Sequence, residues 1–252
     1  MIVFITGASS GFGAAIARRF AHDGARLILA ARRGERMKQL AKKLGGKSHL
    51  VELDVRDRKA VESAIAELPA SWREVDVLVN NAGLALGMEP AQRASLDDWD
   101  AMVDTNIKGL MYVTRALLPG MVERGRGHVI NIGSVAGEWP YPGGNVYGAS
   151  KAFVRQFSLN LRADLLGTPV RVTDVEPGMC SGTEFSNVRF HGDDASAAKV
   201  YENVDAITAE DIADTVHWIA TRPAHINVNT ISLMPVGQAF AGLSVHRKRP
   251  SP

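Results

Sequence analysis

Short apolar runs alternate along the chain with segments whose apolar residues recur at helical spacing. The runs are "MIVFIT" at the start, "RLILAA" from Arg26, "SHLVELD" from Ser48, "VDVLVN" from Val75, "HVINIG" from His128, "VRVTDVEP" from Val170 and "NTISLM" from Asn229. Between them, helical spacing runs over Phe12–Asp23, Glu35–Leu44, Lys59–Leu68, a long stretch Leu96–Glu123, a helix opening at Tyr147, and Ala209–Ala220. In the first of these, Ala15, Ile16 and Phe20 share one face. The strand runs are apolar throughout, not alternating, so both sheet faces are buried and the sheet is mainly parallel. The β–α alternation predicts an α/β fold: a doubly wound, Rossmann-type sheet of about seven strands with helices on both faces. No linker, repeat or low-complexity block divides the chain, so residues 1–252 read as a single domain. The segment Gly182–Lys199 is polar and loop-rich and interrupts the rhythm; it reads as an insertion over a substrate. The last residues, 246–252 ("HRKRPSP"), read as a solvated tail.

Composition narrows the function classes. The 252 residues carry 29 basic and 27 acidic side chains, a net charge of +2. That balance argues against nucleic acid or an anionic membrane as partner. The one cysteine, Cys180, allows no internal disulfide and fits a cytoplasmic location. The first apolar run is too short for a secretory core and lacks a basic segment before it. No run of about 18 apolar residues is present to span a bilayer. The seven histidines (His22, His49, His128, His191, His217, His225 and His246) form no ligand-spaced cluster, so no metal is expected.

The first strand turns into its helix through "TGASSGFG", with Gly7, Gly11 and Gly13 spaced G-x3-G-x-G. Glycine permits positive φ and close approach of backbone to a pyrophosphate, and a helix N-terminus favours phosphate. Gly7, Ala8, Ser9, Ser10, Gly11, Phe12 and Gly13 are therefore expected around a dinucleotide. About 20 residues on, where an NAD site usually places a carboxylate, stand Ala31, Arg32 and Arg33. Two guanidiniums suit a 2′-phosphate, so the expected cofactor is NADP. Asp54 and Val55, after the third strand, are placed at the adenine edge. Asn81, Ala82 and Gly83 of "NNAG" end the fourth strand at the carboxyl side of the sheet, where ligands of open α/β sheets bind.

These pieces, with Asn106 in "DTNIKG", Ser134 in "NIGSVAG", "YGASK" at Tyr147–Lys151 and "PGM" at Pro177–Met179, run in one order over nearly the whole chain. In that order they resemble the short-chain dehydrogenase/reductase family. Finer pieces, "NNAGLALGMEP", "WPYPGGNVYGASKAFVRQFSLNL" and "TEFSNVRFHGDD", resemble its bacterial NADP-dependent 3-hydroxy acid dehydrogenases. These are also described as serine or allo-threonine dehydrogenases and malonic semialdehyde reductases. The chemistry of the residues agrees. Tyr147 and Lys151 lie four apart, on one helical face. A lysine cation beside a phenol, whose free pKa is about 10, favours the phenolate, so Tyr147 is expected to have a lowered pKa and act as acid/base. Phe153, Val154, Phe157 and Leu161 read as the stripe that anchors this helix to the sheet. The Ser134 hydroxyl would hold the reacting oxygen.

The resemblance further implies that Lys151 holds the nicotinamide ribose and that Asn106 supports a water-linked proton relay to it. Pro177, Gly178, Met179 and Thr183 would run along the nicotinamide side. It implies a homotetramer built through the Leu96–Glu123 and Tyr147–Leu166 helices. Trp139 and Tyr141 either line a small pocket or pack their own loop. For a substrate carboxylate the cation is Arg189, or Arg247 or Lys248 of a neighbouring subunit's tail. Two other readings remain: a different carbonyl substrate (ketone, sugar or 3-oxoacyl thioester) on the same machinery, or an NADP-binding sensor without turnover.

Overall fold

The structure, a computed structural model, describes residues 1–240. The tail at 246–252, with His246, Arg247 and Lys248, lies outside the described residues. Seven parallel strands form one sheet in the order β3-β2-β1-β4-β5-β6-β7. They are β1 (Ile2–Thr6), β2 (Arg26–Ala31), β3 (Ser48–Glu52), β4 (Val77–Asn80), β5 (His128–Ile132), β6 (Arg171–Pro177) and β7 (Thr230–Leu233). Every residue of β1, β4 and β5 is buried, the polar Thr6, Asn80, His128 and Asn131 included.

Helices cover both faces. On one face α1 (Gly11–His22), α2 (Gly34–Leu44) and α9 (Ala209–Ala220) pack their apolar stripes, with Ile16, Phe20, Leu40 and Ile212 in one core. On the other, α3 (Arg58–Ala66), α5 (Leu110–Glu123) and α6 (Asn145–Asp164) enclose a core with Val61, Leu117 and Leu161. Buried polar bonds fix the second layer to the sheet. Asn80 Nδ2 donates to Thr114 of α5 and to Asn131 of β5, both at 2.8 Å, and Asn131 Nδ2 donates to Ser158 of α6 at 2.8 Å. These bonds set the registration of α6, which carries the Tyr–Lys pair.

The strand order reverses between β1 and β4. That switch point opens a crevice at the carboxyl edge of the sheet.

Several expected boundaries move. The helix expected to open at Tyr147 begins at Asn145, so Tyr147 sits inside its first turn. The long Leu96–Glu123 stretch is not one regular helix. It comprises α4 (Leu96–Val103), a widened π-helical turn over Asp104–Gly109, and α5. Such turns mark functional sites more often than plain helix does. Segment Gly182–Lys199 is not mainly loop: it holds two short helices, α7 (Phe185–Arg189) and α8 (Asp194–Lys199). Asp193 caps the second by accepting from the backbone N–H of Ala195 and Ser196, both at 3.1 Å. The anchoring stripe of α6 differs at one position. Val154 and Leu161 are buried and Phe157, half-buried, packs against the core that holds Leu161, while Phe153 is half-buried and stacks on Phe157 at 5.7 Å.

Candidate active site

A cavity of about 660 Å³ follows the carboxyl edge of the sheet. One end is walled by Arg32, Arg33 and Asp54, the other by Ser134, Tyr147 and Arg189, with the glycine loop and the "NAG" turn between them. Val55, Lys151, Pro177, Gly178, Met179 and Thr183 also line it. Of the expected site residues, three do not face it. Ala8 is fully buried and bonds through its N–H to Ala30 O at 3.3 Å. Gly13 and Asn106 stand behind the wall.

The glycine loop is shaped by contacts that exclude side chains. Gly7 and Gly11 have φ of +64° and +50°, a region glycine enters without strain. A Cβ on Gly13 would collide with Gly7 O and come within 2.6 Å of Asn81 Nδ2. Gly13 thus serves the site by letting α1 pack under the loop. Thr6 and Asn81 staple the loop to the "NAG" turn. The Thr6 hydroxyl accepts from the N–H of Asn81 and Ala82 at 3.0 and 2.9 Å, and Asn81 Nδ2 donates to the carbonyls of Thr6 and Gly7 at 2.9 and 3.2 Å.

Arg33 reaches back to this loop. Its Nε donates to Ser9 Oγ at 3.2 Å and a terminal nitrogen donates to Ser10 Oγ at 2.5 Å. Another terminal nitrogen donates to Glu184 at 2.8 Å, and Arg36 donates to the other oxygen of Glu184 at 2.6 Å. The two guanidiniums hold the Glu184 carboxyl down at about 2. Glu184 thus ties the segment before α7 to the arginine end of the cavity, a link that no local sequence pattern announces. Asp54 is engaged by Arg56, which donates to its two oxygens at 3.0 and 2.6 Å and keeps its pKa below the usual range. The shape fits a dinucleotide: a glycine cradle that a Cβ would fill, and guanidinium surface at Arg32 and Arg33 where an adenosine 2′-phosphate would lie.

At the other end, α6 and the loop after β5 bring together Ser134, Tyr147 and Lys151, each less than a tenth exposed. Ser134 caps the short turn after β5, its hydroxyl accepting from the N–H of Ala136 at 3.1 Å. Lys151 Nζ donates to Ile132 O at 2.7 Å and lies 5.9 Å from the centroid of the Tyr147 ring. The small residues between tyrosine and lysine leave room for close packing. Ser150 donates to Tyr147 O at 2.7 Å and accepts from Asn106 Nδ2 at 3.0 Å. Asn106, in the π-helical turn, also exchanges bonds with the backbone of Leu84: its Oδ1 accepts at 2.9 Å and its Nδ2 donates at 2.8 Å. A Cβ on Gly83 would lie 3.3 Å from Asn106 Oδ1 and 3.5 Å from Lys151 Nζ, so Gly83 separates the two by one narrow layer.

The expected lowering of Tyr147 is reversed in this structure. Burial pushes its phenol up to about 12, against smaller downward effects from the Ser134 hydroxyl and Arg189. Burial also pushes Lys151 down to about 8, opposed by Asp174. Lys151 is not among the groups that lower the phenol: its ammonium donates to the Ile132 carbonyl.

Arg189 closes this end. Its guanidinium lies 5.6 Å from the centroid of the Tyr147 ring. It donates to Tyr141 Oη at 2.9 Å and to Gly87 O at 3.2 Å. Phe185, from the same short helix, meets the Tyr147 ring edge-on at 5.7 Å. Trp139 and Tyr141 both line the cavity, and Trp139 packs on Phe240 at 4.3 Å. Sequence reasoning missed Glu184, Arg36, Phe185 and Gln238, whose Oε1 accepts from the N–H of Met179 at 2.8 Å. For Glu184 and Phe185 the signal was "TEFSNVR", a stretch of mixed charge and aromatics inside the expected loop; Arg36 and Gln238 carried none.

A family model described as short chain dehydrogenase matches residues 1–194, more than half the chain. The chain belongs to the short-chain dehydrogenase family. It is 65% identical over 247 residues to the NADP-dependent 3-hydroxy acid dehydrogenase YdfG of Salmonella typhi, covering 98% of this chain and all of that protein. It is 54% identical over 246 residues to the serine 3-dehydrogenase of Rhizobium radiobacter, covering 98% of each. Among solved structures, the closed form of a serine dehydrogenase complexed with NADP+ superposes with a TM-score of 0.97 at 62% identity. That match covers 98% of this chain and 100% of the other. As a short-chain dehydrogenase/reductase, the protein is an enzyme acting on CH–OH groups. Among the described residues, no helix is long and apolar enough to cross a membrane.

Proposed function

We propose that this enzyme uses NADP to interconvert small 3-hydroxy acids and their 3-oxo partners. The candidate substrates are serine, allo-threonine, 3-hydroxypropionate and 3-hydroxyisobutyrate in oxidation, and 3-oxo acids such as malonic semialdehyde in reduction. The observation that carries the substrate class is Arg189: a guanidinium over the Tyr147 ring, in the same end of the cavity as Ser134. A fixed cation beside the proton donor suits a substrate whose carboxylate lies a few bonds from the reacting carbon. The similarity to 3-hydroxy acid and serine dehydrogenases supports the same reading.

The cofactor is NADP. When bound it supplies or accepts the hydride, and the protein orients it. Arg32 and Arg33 would hold its 2′-phosphate, the glycine loop its pyrophosphate, and Lys151 its ribose. Ser134 would bind the substrate oxygen and fix it against Tyr147. With its phenol pushed up to about 12, Tyr147 holds its proton at neutral pH, the state needed to protonate the oxygen in reduction. In oxidation the same atom takes the alcohol proton. Asn106, bonded to Ser150 and separated from Lys151 by Gly83, would support water delivering protons to the lysine. Homotetramer assembly fits the half-buried Phe153–Phe157 stack and exposed Met111 and Leu159 on α5 and α6. A cytoplasmic location fits the single, buried cysteine.

The test compares 3-hydroxypropionate with its methyl ester as substrates for NADP reduction. The reading predicts a large loss of kcat/KM on esterification. Equal use of acid and ester would place the substrate outside the hydroxy acids.

A further inference from the structure

Phe185 and Arg189 reach the Tyr147 ring from opposite ends of α7, a helix of five residues. A helix that short does not hold itself in place. Where Arg189 sits therefore depends on what anchors the segment. At its far end the anchors are in the loop after β4 and in α4. Gly87 N–H donates to Arg189 O at 2.9 Å, Arg189 Nε donates to Gly87 O at 3.2 Å, and His191 Nε2 lies 3.1 Å from Asp98 Oδ2. In the middle, the hydroxyls of Ser186 and Tyr201 bond at 2.7 Å.

At the near end the anchor is Glu184, and it reaches away from the substrate. One carboxylate oxygen pairs with Arg33 at 2.8 Å and the other with Arg36 at 2.6 Å. Thr183, just before it, lies over the glycine loop: a Cβ on Gly11 would come within 3.4 Å of its side chain. Thr183 and Glu184 thus cross the crevice from the β6 side to the β2 side. A single half-exposed ion pair contributes little. Here both oxygens are engaged, and Arg33 is already fixed by Ser9 and Ser10, so less freedom is lost on pairing.

This anchor is compatible with a bound cofactor. Three of the five N–H groups of Arg33 are engaged, by Ser9, Ser10 and Glu184, which leaves two for a phosphate. Arg32, Arg33 and Arg36 stand against one carboxylate at this end, a surplus of two positive charges. A phosphate monoester carries about −1.5 to −2. The arginines can therefore hold Glu184 and a 2′-phosphate together.

We propose that Glu184 is a positioning residue that straps the substrate-end segment to the cofactor arginines, so that Arg189 and Phe185 are seated on Tyr147 through the same guanidinium that takes the 2′-phosphate. Glu184 acts through α7 and does not touch the substrate. The inference rests on the NADP and hydroxy acid reading given above. Arg36 does not line the cavity, so Arg36→Gln weakens the strap without removing a contact to cofactor or substrate.

The test compares wild type, Glu184→Gln, Arg36→Gln and the double variant, each saturated with NADP at about pH 7. The first readout is backbone hydrogen exchange by mass spectrometry on the peptides that contain Gly87 and Val188. Gly87 N–H bonds to Arg189 O and touches neither Glu184 nor Arg36, so it reports the seating of the far end. Its exchange should speed up about three- to tenfold in each single variant. The second readout is kcat/KM for 3-hydroxypropionate. It should fall about threefold or more in each single variant, and no further in the double variant than in the worse single one, because both cut one strap. Gly87 exchange unchanged in the folded variants overturns the proposal. So does faster exchange with kcat/KM unchanged, or losses that multiply in the double variant. If Glu184→Gln does not fold, Arg36→Gln decides alone. A wild type that binds NADP but does not oxidise 3-hydroxypropionate removes the substrate reading, while Gly87 exchange still decides the strap.

Discussion

Replacing Arg189 with glutamine tests the substrate reading with the fewest side effects. The guanidinium is half-buried, held by Tyr141 Oη and Gly87 O, and placed over the Tyr147 ring. A hydrogen bond to a charged partner contributes about 1.5–3 kcal/mol. At about 1.36 kcal/mol per factor of ten, kcat/KM for 3-hydroxy acids should fall about 10- to 150-fold. The half-exposed position favours the lower part of that range. A neutral secondary alcohol, with no carboxylate to lose, should change little. Arg189 also lowers Tyr147, so its removal should move the acid limb of the oxidation profile to higher pH. The assay is initial-rate NADPH absorbance with acid and neutral substrates on both proteins, with thermal melting to confirm the fold. If the acid and the neutral alcohol lose activity equally, Arg189 supports the loop and the carboxylate assignment is wrong.

Other perturbations have equally definite outcomes. Arg33→Ala should cut NADP affinity by about 1.5–3 kcal/mol while leaving NAD affinity nearly unchanged, read by fluorescence titration of both cofactors. An equal loss for both would put the 2′-phosphate elsewhere. Gly13→Ala should abolish cofactor binding or folding, because its Cβ would collide with Gly7 O; a stable variant that binds NADP normally would contradict the cradle. Lys151→Met should stop turnover yet raise stability at neutral pH. Burial lowers Lys151 from 10.5 to about 8, so below pH 8 the folded chain carries an ammonium that unfolding would relieve, a penalty on the order of 3 kcal/mol. In the wild type, that penalty should fade as pH rises from about 8 towards 10.5. A Lys151→Met variant no more stable than wild type in a melt at neutral pH would refute it.

The inner strands were readable because burial on both faces leaves a mainly apolar run; the edge strands β3 and β7 contain no buried residue, and the β–α rhythm is what placed them. The glycine loop and the Tyr–Lys spacing were readable because their chemistry depends on local geometry. What escaped the sequence depends on distant partners or subtle winding. The turn at Asn106 widens to i→i+5 bonding, which leaves the 3.6-residue periodicity of its flanks intact. Phe153 fits a core stripe by spacing alone, yet it is only half-buried while Ser150, Val154 and Ser158 are buried. Glu184 meets Arg33 across 151 positions. The direction of Tyr147 was misjudged because spacing shows the lysine but not the burial that outweighs it.

The measurement that bears most directly on the central claim is initial-rate spectrophotometry with NADP and NAD. The panel is L-serine, allo-threonine, 3-hydroxypropionate, 3-hydroxyisobutyrate and a plain secondary alcohol, on the wild type and on Tyr147→Phe. The account predicts turnover of the hydroxy acids with NADP in preference to NAD, lost in Tyr147→Phe. Turnover of the plain alcohol alone, or hydroxy acid oxidation that survives removal of the Tyr147 hydroxyl, would contradict it.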